Sequence, residues 1–157
     1  MSPRVERLPR RPDPRDVDAV MALESASFTN PWSRDTFLWE LANSDVTRAY
    51  VLREPPGAVQ AFCLCWVIFD ELHINTLAVA PEARRRGLAT LLLKVTFADA
   101  VAEGARKATL EVRESNLAAL GLYQRLGFRV AARRPRYYSQ PDEDGLILWR
   151  ESLDASP

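Results

Sequence analysis

Residues 74–90 read INTLAVAPEARRRGLAT, and this stretch decides how the rest of the chain is arranged. It opens with an apolar, β-prone run, which predicts a strand. Pro81 ends that strand, because proline has no backbone N–H for a sheet ladder. From Gly87 onward, apolar residues recur at helical spacing: Leu88, Leu91, Leu92, Val95, Ala98 and Ala102. Three arginines and a glycine therefore occupy the junction of a strand and a helix.

The three arginines, Arg84, Arg85 and Arg86, stand where the start of a helix would favour acidic residues. The first turn of a helix has unpaired backbone N–H groups and a partial positive charge. A bound anion would offset the excess positive charge, and phosphate groups bind readily at helix starts. Gly87 would let such an anion approach closely, since it has no Cβ. A solvated basic loop is the other interpretation, and the spacing by itself favours neither.

The composition is typical of one globular domain. The chain has 157 residues, of which 47% are hydrophobic, which is enough for a sizeable core. Lys plus Arg and Asp plus Glu both number 21, so the net charge gives no reason to expect a nucleic-acid partner. No apolar run is long enough to span a membrane, and the N-terminus lacks the apolar core of a signal peptide. We therefore expect a cytoplasmic protein without a membrane partner.

The two cysteines, Cys63 and Cys65, lie two residues apart in a β-prone run. An extended strand holds their Cβ atoms too far apart for an easy disulfide. The chain has no second cysteine pair and has a single histidine, so a zinc site is not expected. Two reduced core thiols fit a cytoplasmic protein, and no metal is predicted.

Turn residues and periodicity predict the order of the elements. Residues 1–15, with four prolines and five arginines, predict a loose segment with at most a short strand at 5–8, and residues 16–157 predict one domain. Asp16 is expected to cap a first helix running to Phe28, and Ser33 a second, short helix. Strands are expected at 47–53, 59–69, 72–80, 107–113, 128–134 and 146–150, with helices from Gly87 to Gly104 and from Ser115 or Asn116 to Leu126, a turn at 55–57 and a loop at 135–145. The order β-α-α-β-β-β-α-β-α-β-β indicates an α+β fold on a mixed, mostly antiparallel sheet.

Several segments form an ordered set along the chain: RRRGLA at 84–89, LEVRESN at 110–116, LYQRLGF at 122–128, and then Arg133-Arg134 and Tyr137-Tyr138. The first resembles the Q/R-x-x-G-x-G/A acetyl-CoA signature of the GCN5-related N-acetyltransferases, the GNAT family. The later segments are similar to the RimI type of that family, and the resemblance covers residues 16–150. It implies a GNAT fold and transfer of an acetyl group from acetyl-CoA to a protein N-terminal amine, most typically the N-terminal alanine of a small-subunit ribosomal protein.

Glu111 is the residue that we expect to act as the base. Acyl transfer from a thioester to an amine needs a base for the amine proton and benefits from an acid at the departing sulfur. Glu111 stands mid-strand, where glutamate is disfavoured, on the face opposite Leu110 and Val112. By resemblance it matches the catalytic glutamate of the LEVR motif. A glutamate on a solvated sheet face is one alternative, and Glu71 as the base is another, while His73 is expected to be a half-exposed strand residue.

Tyr123 is the candidate acid. It follows Asn116 by seven residues, which places both side chains on one face of the predicted helix. The resemblance implies that Tyr123 donates a proton to the thiolate and that Asn116 contacts CoA. A core tyrosine and a helix-capping asparagine are the alternatives.

The resemblance implies two further sets of site residues. The CoA-binding set comprises backbone groups of Leu77, Ala78 and Val79 and the turn residues Arg84, Arg85, Arg86, Gly87, Leu88, Ala89 and Thr90. The acceptor-binding set comprises Trp32, in a Pro-Trp-Ser element typical of the RimI type, with Glu71, Tyr137 and Tyr138. The acidic run at 142–144 would attract a basic N-terminus, although an ordinary charged hairpin loop explains it equally well.

The chain departs from the family pattern at two positions in the central stretch. Ala89 ends the glycine signature in place of a glycine, and Thr76 stands where RimI enzymes usually have asparagine. Other functions also fit: a GNAT enzyme acting on a small-molecule amine or on another protein's N-terminus, and a non-catalytic acyl-CoA-binding module. The sequence leaves the natural acceptor and the oligomeric state open.

Overall fold

The computed structural model describes residues 2–55 and 57–154. The elements are β1 (Arg4–Arg7), α1 (Pro14–Ser27), α2 (Arg34–Asn43), β2 (Thr47–Glu54), β3 (Ala58–Ile68), β4 (Glu71–Val79), α3 (Leu88–Ala102), β5 (Lys107–Arg113), α4 (Leu117–Arg125), β6 (Arg129–Tyr138) and β7 (Glu143–Arg150), with a 3-10 turn at Pro81–Ala83 before α3. This is the predicted order of helices and strands. Met1, Pro56 of the predicted turn at 55–57, and residues 155–157 of the predicted domain lie outside the described residues.

The strands form a seven-stranded sheet in the order β1-β2-β3-β4-β5-β7-β6. Strands β4 and β5 are parallel, and the long connection through α3 is the kind of crossover that parallel neighbours require. The pairs β1–β2, β2–β3, β5–β7 and β6–β7 are antiparallel. The predicted α+β class with a mixed, mostly antiparallel sheet is therefore confirmed.

Residue contacts divide the chain into two compact units. Unit 1 contains the residues up to Trp66 and Thr76–Thr96, and unit 2 contains Val67–Asn75 and the residues from Phe97 onward. Strand β4 and helix α3 each contribute residues to both units. The expectation of one domain over residues 16–157 stays a prediction.

In unit 1, the arginine- and proline-rich segment supplies an edge strand. Strand β1 pairs with β2 along its whole length, which places the short strand at Arg4–Arg7 instead of 5–8. Leu8 follows as a buried residue, and its N–H donates to the Ala49 carbonyl at 2.8 Å. The burial of Leu8 and the backbone ladder together fix this segment on the sheet.

Helix α1 begins earlier than predicted. Asp13, and not Asp16, is the N-cap, because its carboxylate accepts a hydrogen bond from the Arg15 N–H at 2.8 Å. Pro14 fits the first helical position, where its missing N–H costs no hydrogen bond. Asp16 instead forms a two-pronged ion pair with Arg53, at 2.7 and 2.8 Å.

The inner face of α3 also differs from the prediction. Leu88 and Leu92 are buried as expected, but Leu91 and Val95 are more than a third exposed. Ala98 and Ala102 are exposed too, and the inner face contains Leu92, Leu93, Thr96, Phe97 and Ala100. The helix is apolar on nearly every side, so periodicity alone does not identify the face that packs.

In unit 2, glycines end the helices as the sequence predicts. Gly104 has a φ of +102°, and the Ala105 N–H donates to the Ala100 carbonyl at 2.9 Å, which closes the last turn of α3. Gly127, with a φ of +90°, ends α4 in the same way. At the other end of α4, the Asn116 side chain accepts from the Ala119 N–H at 3.1 Å, so Asn116 is the N-cap.

The closing hairpin of unit 2 is longer than predicted. Strand β6 continues to Tyr138 and β7 starts at Glu143, so the predicted loop at 135–145 shrinks to the four residues 139–142. Tyr138 pairs with Glu143 at the end of the hairpin. Pro135 and the charged residues around it are typical of a loop, which is why the sequence pattern underestimates both strands.

An irregularity in β6 accommodates its proline. The regular pairing with β7 is interrupted between Arg134 and Tyr138. The interruption contains Pro135, which has no N–H to donate, and Arg136, which has a φ of +51°. A break of this kind is the usual way in which a strand contains a proline.

Both cysteines are buried and free, as the sequence predicts. Among the described residues, no helix is long and apolar enough to cross a membrane.

Candidate active site

The turn between β4 and α3 holds two of its three arginines in place. The Arg84 Nε donates to the Val79 carbonyl at 3.2 Å. Arg86 forms a two-pronged ion pair with Glu54 at the end of β2, with one N–O distance of 2.7 Å. Arg85 has a φ of +63° and an exposed side chain. The turn therefore presents guanidinium groups at the start of α3.

Gly87 completes this turn and fits the approach of an anion. Its φ is +77°, a conformation that favours glycine, and a Cβ built there would meet no atom within 4 Å. Leu88 starts α3, and the first backbone N–H groups of a helix have no acceptor inside the helix. Guanidinium groups, helix-start N–H groups and open space beside the backbone are the features that suit a diphosphate group such as that of CoA.

The predicted strand residues before the turn alternate in burial. Thr76 and Ala78 are buried, whereas Leu77 and Val79 are half-buried. The Ala80 N–H donates to the Gln60 carbonyl at 2.8 Å. The side chains of Leu77 and Val79 thus share the face opposite the buried Thr76 and Ala78.

In unit 2, Glu111 lies on the exposed face of β5 and has two polar partners from the closing hairpin. Its Oε1 accepts from the Arg134 guanidinium at 3.0 Å. The Tyr137 phenol donates to the same carboxylate, and this hydrogen bond raises the pKa of Tyr137. Arg134 also stacks on the Tyr137 ring, with its guanidinium carbon 4.5 Å from the ring centroid. The carboxylate is therefore held in a fixed orientation while a third of its side chain stays exposed to solvent.

Gly145 makes this arrangement possible. It lies on β7, between Arg113 of β5 and Arg134 of β6 in the register. A Cβ at Gly145 would lie 2.9 Å from Cδ2 of Tyr137, a distance that real Cβ atoms do not adopt. Because β7 has no side chain here, the Tyr137 ring packs onto its backbone beside Glu111.

The second tyrosine of the pair is more buried. The rings of Tyr138 and Tyr137 meet edge-on, with their centroids 5.0 Å apart. The guanidinium carbon of Arg113 lies 4.6 Å from the centroid of the Tyr138 ring. Burial, followed by the nearby Glu111 charge, raises the pKa of Tyr138 to about 12. The structure therefore brings Glu111, Tyr137 and Tyr138 together, as a base and two acceptor contacts would require.

The predicted acid, Tyr123, is a buried residue of α4. Its ring packs edge-on against Phe128 at 5.5 Å. Asn116 caps the same helix, as the capping alternative predicts. The cap uses its side-chain oxygen, so the Nδ2 group takes no part in that hydrogen bond. Tyr123 and Asn116 thus belong to one helix, two turns apart.

The acidic run at 142–144 is largely engaged by its own hairpin. Glu143 accepts from the Ser115 N–H at 2.6 Å and pairs with Arg113. Asp144 accepts from the Arg136 N–H at 3.0 Å and pairs with Arg133. These contacts favour the ordinary hairpin alternative for Glu143 and Asp144 over attraction of a basic peptide.

Comparison with known proteins places these residues in a family. The profile described as "Acetyltransferase (GNAT) family" matches residues 17–128, which include the turn, Glu111 and Tyr123. The chain belongs to the GNAT acetyltransferase family. The match covers more than half of the sequence and includes the RRRGLA, LEVRESN and LYQRLGF segments.

Relatives of known activity resemble the acetyltransferase over nearly its full length. It is 33% identical over 135 residues to the ribosomal protein bS18-alanine N-acetyltransferase of Salmonella typhimurium (strain LT2), covering 85% of this chain and 89% of that protein. The crystal structure of the ribosomal-protein-S18-alanine N-acetyltransferase from Escherichia coli aligns with a TM-score of 0.84 at 28% identity, covering 99% and 97% of the two chains. A NatC complex crystallised with Gag peptide and CoA aligns with a TM-score of 0.82 at 21% identity, covering 96% and 99%, which shows the shared fold.

Glu71 is separated from the Glu111 cluster of the acetyltransferase. Its carboxylate lies 2.9 Å from the His73 Nε2 and 3.7 Å from the Lys107 ammonium. Glu71 is level with Lys107 in the parallel ladder, four residues before Glu111 on β5. At the usual strand rise this separation is roughly 13 Å. The register therefore places Glu111, and not Glu71, near Tyr137 and Tyr138.

Three features of the structure have no direct signal in the sequence. The pairing of Arg134 with Glu111 depends on a register across three strands. Gly145 falls within the predicted loop, and Glu24, which accepts from the backbone of Trp32, looks like an ordinary helix residue. A glycine directly before the β-prone run at 146–149 is the one available sign of the packing at Gly145.

No group of three or more His, Cys, Asp or Glu side chains in the described part of the chain is arranged to hold a metal ion. The expectation that the acetyltransferase needs no metal stays a prediction.

Proposed function

We propose that this GNAT enzyme transfers the acetyl group of acetyl-CoA to a protein N-terminal amine, with the N-terminal alanine of ribosomal protein bS18 as the acceptor. The names of the Salmonella and Escherichia coli relatives support this acceptor. The observation that carries the proposal is the Glu111 cluster, in which a carboxylate is oriented by Arg134 and Tyr137 on an open sheet face. An acceptor on the ribosome also supports action in the cytoplasm.

Glu111 takes the proton from the acceptor amine. Only the neutral amine has the lone pair that attacks a thioester carbonyl, so a carboxylate at hydrogen-bond distance promotes the reaction. Arg134 and Tyr137 keep the Glu111 carboxylate pointing in one direction, which is what a positioned base requires. The protonated amine first passes one proton through Glu111 to solvent. The neutral amine then forms the new C–N bond, and the proton that nitrogen loses as the amide forms goes to Glu111.

Tyr123 supplies the balancing proton to sulfur. As the C–S bond breaks, the electron pair stays on sulfur, and protonation by the phenol yields the free thiol of CoA. Acetyl-CoA, when bound, supplies the activated acetyl group. Burial of Tyr123 against Phe128 fixes the direction of its ring, which suits a proton donor.

The cofactor-binding residues are proposed to act as two groups. The turn residues Arg84, Arg85, Arg86, Gly87, Leu88, Ala89 and Thr90 bind the diphosphate, and Asn116 contributes an amide contact. Backbone groups of Leu77, Ala78 and Val79 hold the pantetheine arm. The exposed side chain of Arg85 and the open space at Gly87 support the first assignment.

The acceptor peptide is proposed to contact Trp32, Tyr137 and Tyr138, and the Glu71 contact stays a prediction. The Tyr137 phenol donates to the Glu111 carboxylate, and the Tyr138 ring packs edge-on against Tyr137. A peptide N-terminus brought to Glu111 would therefore lie beside both tyrosines.

A CoA-release assay with peptides that begin with Ala, Ser, Met or Gly tests the proposal. We expect turnover with the bS18 N-terminal peptide and a preference for alanine at its first position. Glu111→Gln and Tyr123→Phe should each lower kcat by roughly a hundredfold or more, the usual contribution of general acid–base catalysis. Preferential acetylation of a small amine, or full activity of both variants, would overturn the assignment.

A further inference from the structure

Glu24 is a buried carboxyl group that the proposed reaction does not use. It lies in the last turn of α1 and is 2% exposed. Burial raises its pKa, although two hydrogen bonds oppose that effect. A negative charge is also disfavoured at the C-terminal end of a helix. No ion pair to Glu24 occurs among the described residues. The carboxyl is therefore buried, at a cost in free energy, without a cation that would offset its negative charge.

The two contacts of Glu24 join two segments of unit 1 that are far apart in sequence. Its Oε2 accepts from the Trp32 N–H at 2.9 Å. Its Oε1 lies 3.0 Å from the Thr76 hydroxyl, which donates to it. Trp32 belongs to the connector between α1 and α2, residues 28–33, and Thr76 directly precedes the proposed pantetheine residues on β4.

Both ends of the connector have helix caps that do not involve this carboxyl. Its first residue, Phe28, caps α1 through a backbone hydrogen bond to the Glu24 carbonyl. Its last residue, Ser33, caps α2 by accepting from the Thr36 N–H at 3.1 Å. The side chain of Glu24 adds something different, because it fixes the position of the Trp32 backbone relative to Thr76.

We propose that Glu24 is a positioning residue for the acceptor, holding the Trp32 connector against β4 so that the peptide N-terminus is aligned with the strand that carries the thioester. This inference rests on the proposed function. It also explains the departure at Thr76, since a short hydroxyl side chain donates to the carboxyl within a buried site.

The test compares Glu24→Leu with Glu24→Gln in the full-length enzyme. Leucine fills a similar volume without hydrogen bonds, whereas glutamine keeps an acceptor for Trp32 and a polar contact for Thr76. The matched control is Glu40→Leu, because Glu40 on α2 accepts from the buried Thr47 hydroxyl of β2 in a contact of the same kind. The measurements are the KM for an Ala-initiated peptide, the KM for acetyl-CoA, and the melting temperature.

We expect Glu24→Leu to raise the peptide KM about tenfold, the change expected from losing one or two hydrogen bonds, with the acetyl-CoA KM nearly unchanged. Its melting temperature should fall by a few degrees, because the Trp32 N–H and the buried Thr76 hydroxyl lose their acceptor. Glu24→Gln should restore most of the peptide KM, and Glu40→Leu should leave it at the wild-type value.

An unchanged peptide KM in Glu24→Leu would overturn the inference, as would an equal rise in both KM values. If Glu24→Leu does not fold, Thr76→Val decides, because it removes only the hydroxyl donor and should raise the peptide KM alone. If the wild-type enzyme acetylates no peptide, the proposed function and this inference both fall. If the wild-type enzyme acetylates the peptide and the variants have the same peptide KM as the wild type, only the inference falls.

Discussion

Glu24 and Glu111 each accept two hydrogen bonds, but their surroundings differ. Glu111 is partly exposed and has the cationic Arg134 as a partner. Glu24 is buried, and its donors, the Trp32 N–H and the Thr76 hydroxyl, are neutral. A cation compensates a carboxylate, whereas neutral donors in a buried site do so only in part, which is why the pKa of Glu24 is raised. The exposed glutamate suits proton uptake, and the buried one suits fixed positioning.

The raised pKa of Glu24 predicts a pH-dependent difference in stability between the wild type and Glu24→Gln. The folded protein binds this proton more tightly than the unfolded chain, whose glutamate titrates near 4.5. The stabilising contribution of Glu24 is therefore fully present below that pH and is lost as pH rises through the folded pKa. Urea unfolding from about pH 4 to about pH 8 should show the wild type losing stability relative to Glu24→Gln. A relative gain with rising pH would contradict the assignment.

The β6–β7 hairpin depends on the missing side chain at Gly145. Gly145→Ala would place a Cβ 2.9 Å from the Tyr137 ring and 3.2 Å from Tyr138, so both rings must move. We expect a loss of about 1–3 kcal/mol in stability from overpacking. The peptide kcat/KM should fall roughly tenfold as the Tyr137 hydrogen bond to Glu111 is weakened. Urea unfolding and steady-state kinetics measure the two effects.

Gly121→Ala is the matched control for that substitution. Gly121 lies inside α4, and its Cβ would meet only the flexible end of the Arg125 side chain at 3.3 Å. Alanine in a helix interior should therefore add about 0.5–1 kcal/mol of stability. Similar stability changes at Gly145 and Gly121 would contradict the packing argument.

The turn before α3 predicts a selective effect of Gly87→Ala on acetyl-CoA binding. Gly87 and Gly104 both have a positive φ, at +77° and +102°, and both have open space at the Cβ position. Alanine at either position should cost about 1 kcal/mol of stability through backbone strain. Only Gly87→Ala should raise the acetyl-CoA KM, because Gly104 ends the helix at its other terminus. An equal KM for both variants would argue against a diphosphate at this turn.

Carboxyl groups in several parts of the molecule accept hydrogen bonds or form ion pairs, and these contacts predict that acid destabilises the enzyme. Hydrogen bonds lower the pKa of several carboxyl groups, with Arg53 the main partner of Glu6, Arg86 of Glu54, Ser115 of Glu143 and Arg136 of Asp144. A lowered folded pKa gives stability that is present above the unfolded value and lost as pH falls through the folded value. The urea concentration at the unfolding midpoint should therefore decrease as the pH is lowered below about 4.5. In that range Glu24 has the opposite effect on stability. A midpoint that stays constant down to about pH 3 would contradict this account.

Local patterns in the sequence predict the order of elements and part of the site. The helix ends at Gly104 and Gly127, the cap at Asn116 and the turn at Gly87 all depend on residues within a few positions of one another. Periodicity is less informative for α3, which is apolar on most sides. The same limit applies to the hairpin, where Gly145 falls in the predicted loop although it pairs within β7.

The sequence by itself determined the class of fold, the ordered family segments and the residues that are proposed to react. Tertiary structure decided which partners those residues have. Glu24 and Thr76 are 52 positions apart, and Glu111 and Arg134 are 23 apart. Caps and periodicity are set by neighbours along the chain, whereas burial and strand register are set by packing between distant segments. A local pattern therefore identifies a glutamate, and only the packed fold makes one of them a buried link and the other an oriented carboxylate.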